Sequence, residues 1–419
     1  MSGPKIKAPR GTFDVLGEQS SARVILETRA RAILESAGYE RIETPTFEAT
    51  DLFARGVGES TDIVRKEMFT MEDAGGRSLT LRPEGTAPVC RAYVEHGMHK
   101  RRQPVKLWYL SSFFRHERAQ AGRYRQFWQV GAESLGSEDP AVDAESILLL
   151  SRLLAEMGVS EVRLRLSSLG SVASRLEYRE ELKAHLRAHE GRLSEEVRER
   201  IDLNPLRAFD SEHPGTLEVM GSAPRLLDRL DVDDQAHFAQ VRSLLDAANV
   251  AYEIDPTLVR GLDYYTRTVF EFTSDSLGAQ SGVGGGGRYD GLVEQLGGPA
   301  TPGIGWAAGV ERILLAGDAQ PTAPAPVELF VAIDGSSAEA QRVAFALLHE
   351  ARSAGLSAQM DLGGRSLKGQ LGHAGALGAR YVAVLGGAES ILKDMQAGRQ
   401  EAMSTDKVVH AVLRGHHDL

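Results

Sequence analysis

The stretch Lys106-Leu-Trp-Tyr-Leu-Ser-Ser-Phe-Phe-Arg115-His-Glu117-Arg-Ala-Gln-Ala-Gly-Arg123-Tyr-Arg-Gln-Phe127-Trp-Gln129-Val-Gly-Ala-Glu133 decides how the rest of the chain is read. Two apolar runs with strand character flank a charged loop. The loop carries Arg115, Arg118, Arg123 and Arg125, and Glu117 is the single acid among them. Arginine is seldom buried without a partner, so core packing does not account for four of them in one loop. Guanidinium forks match phosphate oxygens. The second run adds aromatic and polar groups in Phe127, Trp128, Gln129 and Glu133. This combination points to a site for a nucleoside triphosphate beside a small polar molecule.

Outward from that stretch, 419 residues predict two or three domains, each large enough to bury a core. An apolar fraction of 42% and a charged fraction of 25% are ordinary for a soluble globular protein. The lone Cys90 excludes an intrachain disulfide and a multi-cysteine zinc site, which fits a reducing compartment. The first twenty residues lack a signal-peptide core, and no apolar run reaches the roughly 18 residues of a membrane span. A cytoplasmic protein with no membrane partner is therefore expected. A net charge of -10 argues against nonspecific nucleic-acid binding, yet eight basic residues and one acid lie between Lys100 and Arg125. RNA or nucleotide can bind such a patch on an acidic protein.

The apolar spacing from Ala22 to Ala37 predicts a helix capped by Ser20 or Ser21 and stopped by Gly38, followed by a strand over Tyr39–Pro45. Strand signals recur at Phe69–Met71, Leu79–Leu81 and Val162–Leu166, and Val142–Met157 reads as a helix. Residues 171–250 turn helical and charged, as an insertion would. Strand character returns at Thr268–Phe272 and at Gly303–Gly309, and a helix follows over Val310–Leu315. Pro321, Pro324 and Pro326 mark a linker. A small α/β domain of 327–419 is expected beyond it, after a first domain of 1–322.

Phe114-Arg115-His116-Glu117 followed by Arg123-Tyr124-Arg125-Gln126-Phe127 resembles motif 2 of the class II aminoacyl-tRNA synthetases. Gly38–Pro45 with its preceding helix resembles motif 1, and Gly303–Leu315, with Gly309-Val-Glu311-Arg312, resembles motif 3. Leu258-Val-Arg260-Gly-Leu-Asp263-Tyr264-Tyr265-Thr266, Gly284-Gly-Gly-Gly-Arg288-Tyr289-Asp290 and Leu81-Arg-Pro-Glu84-Gly-Thr86-Ala87 resemble segments of the histidyl-tRNA synthetases. The resemblance implies an α+β fold: an antiparallel sheet flanked by helices, a helical insertion and a C-terminal α/β anticodon-binding domain. It also implies a homodimer with motif 1 at the interface. Family members often have Cys or Ala where this chain has Gly284; a backbone-lined turn there tolerates glycine, so little change is expected.

For function, the resemblance implies a histidine–tRNA ligase acting on L-histidine, ATP and tRNA(His), with Mg²⁺ neutralising the phosphates. Glu84, assisted by Thr86, would pair with the histidine ammonium. Gln129 and Arg260 would face its carboxylate, Arg260 also reaching the α-phosphate where relatives hold a further metal. Glu133, Tyr265 and Tyr289 match the imidazole pocket, since both ring nitrogens need partners, and Tyr264 is a further histidine-binding residue. Arg115 would stabilise the α-phosphate, Arg123 and Arg312 the distal phosphates. Glu117 would accept from the adenine amino group and Phe127 would stack on the ring. Rejection of isosteres by a polar pocket can reach about 10⁴–10⁵-fold, so no editing domain is needed.

Other readings have their own discriminators. Gly282, Gly284 and Gly287 satisfy a G-x-G-x-x-G spacing, but the turn-like Arg288–Gly291 replaces the helix that a dinucleotide site requires. A regulatory subunit of ATP phosphoribosyltransferase shares the synthetase core but typically loses parts of the signature peptides and the tail domain. A synthetase for proline or threonine would share motifs 1 to 3 without those peptides. Neither His96 nor His99 has metal-ligand spacing, and Cys90 reads as a small core residue.

Overall fold

The computed structural model describes residues 5–58, 61–120, 122–259, 262–278, 281–318, 326–335 and 337–415. The first helix, α1 (Gly17–Ser36), buries Leu26, Ala30, Ile33 and Leu34 on one face. It starts earlier than its serines suggested: Leu16 occupies the N-cap without a side-chain bond, and Ser21 instead reaches back to the Gly17 carbonyl. Gly38, at φ +83°, turns the chain out of the helix in the left-handed region that favours glycine. The expected strand over 39–45 shortens to β1 (Glu40–Arg41).

Strands β2 (Phe47–Ala49), β3 (Phe69–Glu72) and β4 (Ser78–Leu81) form a small antiparallel sheet in the order β2-β4-β3, with α2 (Thr50–Val57) inside the β2–β3 connection. Helix α3 (Thr86–Glu95) follows. The two apolar runs then form the hairpin β5 (Val105–Phe114) and β6 (Gln126–Leu135), in register from Val105 opposite Leu135 to Phe114 opposite Gln126.

After α4 (Pro140–Glu156), capped by the Asp139 side chain, come β7 (Val162–Ser168) and the largely helical stretch α5 (Val172–Ala188), α6 (Glu195–Arg200), α7 (Pro214–Gly221) and α8 (Val232–Ala247). Strands β8 (Glu253–Ile254), β9 (Thr266–Ser274) and β10 (Gly282–Arg288), the short helix α9 (Leu292–Gln295), β11 (Gly303–Gly309) and α10 (Val310–Ala316) complete this part. The main sheet has the order β1-β5-β6-β11-β10-β9-β7-β8. Its six central strands pair antiparallel, and the two-residue edge strands β1 and β8 pair parallel.

Side chains alternate between the two faces of a strand, so residue parity sorts the sheet. Trp108, Val130, Ala132, Trp306 and Ala308 face one core with residues of α1, α4 and α8. Leu107, Tyr109, Phe113 and Leu135 face the other, with Val89, Cys90 and Tyr93 of α3. Helix α8, last of the helical stretch, contributes Phe238, Val241 and Leu245 to the first core, so it packs as part of the sheet's own cover. Gly284 lies in strand β10 and not in a turn: a Cβ there would come within 2.5 Å of the Ala308 Cβ, so its smallness serves strand packing.

The chain forms two compact units, 1–320 and 321–419. In the second, β12 (Leu329–Ile333), β13 (Ala358–Met360), β14 (Tyr381–Leu385), β15 (Ser390–Asp394) and β16 (Arg399–Met403) form a sheet ordered β13-β12-β14-β15-β16. Helices α11 (Ala338–Ser353) and α13 (Val408–Arg414) pack with Leu329 and Val331; α12 (Leu367–Ala376) packs with Phe330 and Ala332 on the opposite face.

Candidate active site

Three elements converge on one cavity: the start of α3, the β5–β6 hairpin and the glycine-rich strands β10 and β11. It is lined by Glu84, Thr86, Tyr109, Arg115, Glu117, Arg123, Phe127, Gln129, Tyr264, Tyr265, Glu271 and Arg312. Glu133 and Tyr289 stand behind this lining and are buried. Arg260 falls outside the described residues.

One end is closed by its own hydrogen bonds. Glu133 is fully buried on β6. Thr86 Oγ1 donates to its Oε1 at 2.8 Å, Tyr109 to the same oxygen at 3.3 Å, and Tyr289 to Oε2 at 2.6 Å. Burial outweighs the three hydroxyls and, with the nearby Glu84 charge, pushes the Glu133 carboxyl up to about 8. Glu84, just before the N-cap Gly85, accepts the Thr86 amide at 2.8 Å and the Ala87 amide at 3.0 Å, one with each oxygen, and so satisfies two free amides at the start of α3. Burial raises its carboxyl too. The Thr86 hydroxyl donates to Glu133 and also lies close enough to Glu84 to favour its charged form. Tyr264 stacks edge-on against Tyr265 and Tyr289, with centroids 4.8 and 5.8 Å apart.

Glycines make this crowding possible. A Cβ on Gly85 or Gly131 would lie 2.4 or 2.3 Å from the Tyr109 ring carbon Cζ, and one on Gly303 would meet Tyr289 at 2.4 Å. On Gly305 it would fall 1.7 Å from Glu133 Oε2. Gln129 leaves its buried side-chain oxygen without a hydrogen-bond partner among the described residues, at the cavity wall. Such an orphan is costly unless a ligand satisfies it.

The other end is cationic. Arg115 donates Nε to the Pro83 carbonyl at 2.9 Å and sits 5.3 Å from the Phe127 ring centroid. Glu117 lies 3.3 Å from Arg123 and 3.7 Å from Arg115. Arg312 donates to the carbonyls of Gly122 and Gly282. Burial, then the Arg123 charge, pulls the Arg312 guanidinium below its usual value, with Arg115 adding to the effect. Three guanidinium groups thus face the cavity together, beside Glu117 and Glu271, and their forks suit the oxygens of an anion.

A model of the histidyl-tRNA synthetase family matches residues 11–313. The chain belongs to the histidyl-tRNA synthetase family. It is 47% identical over 410 residues to the histidine–tRNA ligase of Desulforamulus reducens, spanning 96% of this chain and 97% of that one. Crystalline apo histidyl-tRNA synthetase of S. aureus superposes with a TM-score of 0.80 at 36% identity, over 97% of this chain and 100% of that chain. A Bacillus halodurans structure described as an ATP phosphoribosyltransferase regulatory subunit/histidyl-tRNA synthetase gives a TM-score of 0.62 at 23% identity, over 87% and 95%; at that identity the likeness is one of fold. The class II synthetase fold, with its sheet, helices and C-terminal domain, is therefore that of this chain.

Within this synthetase site, some residues had no assigned role in the sequence. Tyr109 completes the hydroxyl ring around Glu133. Strand pairing was the available signal, because Tyr109 lies opposite Gly131 and a glycine facing an aromatic marks space the ring fills. Glu311 anchors the start of α10: it accepts the Trp128 amide at 3.1 Å and the Arg23 guanidinium at 2.6 Å. Burial raises its carboxyl. This clamp fixes the start of α10, which carries Arg312, on β6.

Proposed function

We propose that the chain activates L-histidine with ATP and transfers it to the 3′ end of tRNA(His). The observation that carries this reading is one cavity with a buried, hydroxyl-ringed carboxyl at one end and three arginines at the other. An imidazole offers a donor to Glu133, and the tyrosines enclose its ring. Glu84 takes the ammonium, from which the orphaned Gln129 oxygen can also accept, and the Gln129 amide nitrogen, with Arg260, takes the carboxylate side. The histidine carboxylate attacks the α-phosphorus in line, the bond to the bridging oxygen breaks, and pyrophosphate leaves. Arg115 stabilises charge on the α-phosphate, and Arg123 and Arg312 hold the leaving phosphates. Phe127 stacks on adenine and Glu117 accepts from its amino group. The terminal adenosine hydroxyl of tRNA then attacks the acyl carbon and releases AMP. The residues act by positioning and charge stabilisation.

Mg²⁺ bound with the nucleotide would further neutralise its phosphates. Such ions take most ligands from phosphates and water plus one or two carboxylates. Glu271, which lines the cavity near Arg312, would supply such a carboxylate. Lys100–Arg102 and Arg118 serve as phosphate contacts for tRNA, and the unit from 327 as the anticodon-binding domain, reading splayed bases. The working form is a homodimer in the cytoplasm; no described helix is long and apolar enough to cross a membrane.

ATP–pyrophosphate exchange with each of the twenty amino acids tests the reading. Exchange with histidine alone is expected. No exchange with any amino acid, from protein shown to be folded, overturns it in favour of a binding and regulatory role.

A further inference from the structure

Arg288 and Tyr289 are neighbours in the chain that serve opposite faces of the main sheet. Tyr289 reaches Glu133 on the cavity side. Arg288 is fully buried on the helix-covered side, where a cation needs partners. Asp143 of α4 accepts its Nε at 3.3 Å and also its Nη2, while Asp290 and the Ser137 carbonyl accept Nη1 at 3.0 and 2.9 Å. Asp290 accepts the Gly303 amide at 3.2 Å in turn. Tyr289 is thus held between two anchored residues.

Helix α8 reaches this network from outside. His237 places Nε2 2.9 Å from Asp143 Oδ2. Three residues earlier, on the same helix face, Asp234 accepts Arg267 Nε at 2.9 Å and the Ser171 amide at 2.6 Å. Arg267 follows Tyr265 by two residues and holds a left-handed φ of +45°, a conformation that persists in a non-glycine residue when its surroundings enforce it. Asp143, Asp234, His237 and Arg288 are each at most 7% exposed. Apolar side chains would fill that volume without desolvating charge, so stability alone does not explain this set.

We propose that Asp234 and His237 are positioning residues for the amino-acid end of the cavity. Acting through Arg267 and through the Asp143–Arg288 pair, one face of α8 holds 264–267 and 288–290 so that Tyr289 meets Glu133 and Tyr265 lines the cavity. Neither residue lines the cavity itself. The inference rests on the histidine-activation reading.

The test compares His237→Leu, His237→Gln and Asp234→Asn with the unaltered chain in pyrophosphate exchange, recording the KM for histidine and for ATP, kcat and melting temperature. His237→Leu should raise the histidine KM about tenfold, equivalent to about 1.4 kcal/mol. The ATP KM should stay within about twofold on the same scale. Glutamine keeps a donor for Asp143, so His237→Gln should recover most of the loss, and Asp234→Asn should raise the histidine KM selectively. An unchanged histidine KM in both His237→Leu and Asp234→Asn overturns the proposal. So does a parallel rise of both KM values that follows the melting temperature and is not rescued by glutamine. If His237→Leu does not fold, Asp234→Asn decides between the same outcomes. Absence of histidine-dependent exchange in the unaltered chain sinks the activation reading and this inference with it; exchange there with unaffected variants sinks this inference alone.

Discussion

The two ends of the cavity solve opposite problems. At the tyrosine end the polar groups around Glu133 are already joined: three hydroxyls converge on one carboxyl, and Glu84 is tied to two backbone amides. At the arginine end three cations stand together, and Arg312 is shifted down by burial and by a like charge. In the proposed reading the first end recognises a small polar molecule by matching hydrogen bonds. The second stores unfavourable electrostatics that a polyanion relieves. Selectivity should therefore be sensitive to small displacements at one end, and rate to charge at the other.

Arg115→Ala attacks the charged end and should have the largest effect. Removal of a preorganised charge at a developing anion typically lowers kcat by about 10²–10³-fold. Arg115 is partly exposed and spends one bond on the Pro83 carbonyl, so the melting temperature should change little. Normal exchange kinetics in this variant would remove Arg115 from the chemistry.

The closed end carries a pH signature. Native Glu133 keeps its proton up to about 8, whereas its ordinary value is 4.5. Between those values the native state binds more protons than the unfolded chain. Stability of the free protein should then fall as pH rises through that window, by at most about 1.4 kcal/mol per pH unit from this group. Glu133→Gln should flatten the slope, read from urea midpoints at several pH values. Saturating histidine should flatten it too, because a donor to Glu133 favours the carboxylate. Identical slopes in the two proteins would show that Glu133 is not the group responsible.

Gly305→Ala tests shape without touching a charge. Its Cβ would meet Glu133 Oε2 at 1.7 Å and the Ala132 carbonyl at 2.7 Å, and neither backbone nor a three-way bonded carboxyl yields easily. Overpacking of this kind costs about 1–3 kcal/mol. Urea unfolding should show that loss, and the histidine KM should rise while the ATP KM holds.

Much of this was readable in the chain before its fold. Two apolar runs of strand character located β5 and β6, and the arginine loop between them located the charged end. Local signals failed where tertiary contact decided the outcome. Helix α1 begins at Gly17 and not at its serines, because no capping hydroxyl is used. Strands β13, β15 and β16 are short or polar and exist through pairing with neighbours. Gly284 looked like a turn residue because glycine-rich segments usually are; only the packing of β10 on β11 shows why a side chain is excluded. Tyr109 and Glu311 act through partners 24 and 183 residues away, a distance over which no local pattern carries information.

The finest test of the contrast is Tyr289→Phe. The change removes one oxygen and keeps the ring, so packing against Tyr264 at 5.8 Å should persist. Among the described residues, Tyr289 is the hydroxyl donor to Glu133 Oε2, while Oε1 keeps Thr86 and Tyr109. Losing one of three donors in a buried cluster costs about 1 kcal/mol, or somewhat less than tenfold in affinity. That loss should appear in the histidine KM and leave the ATP KM in place. Arg123→Lys is its counterpart: Arg123 lies 44% exposed beside Glu117, and lysine keeps the charge without the planar fork, so the ATP KM should move and the histidine KM should not. If each variant instead shifted both constants together, the cavity would be acting as one cooperative unit, and the division between a matched end and a charged end would have to be given up.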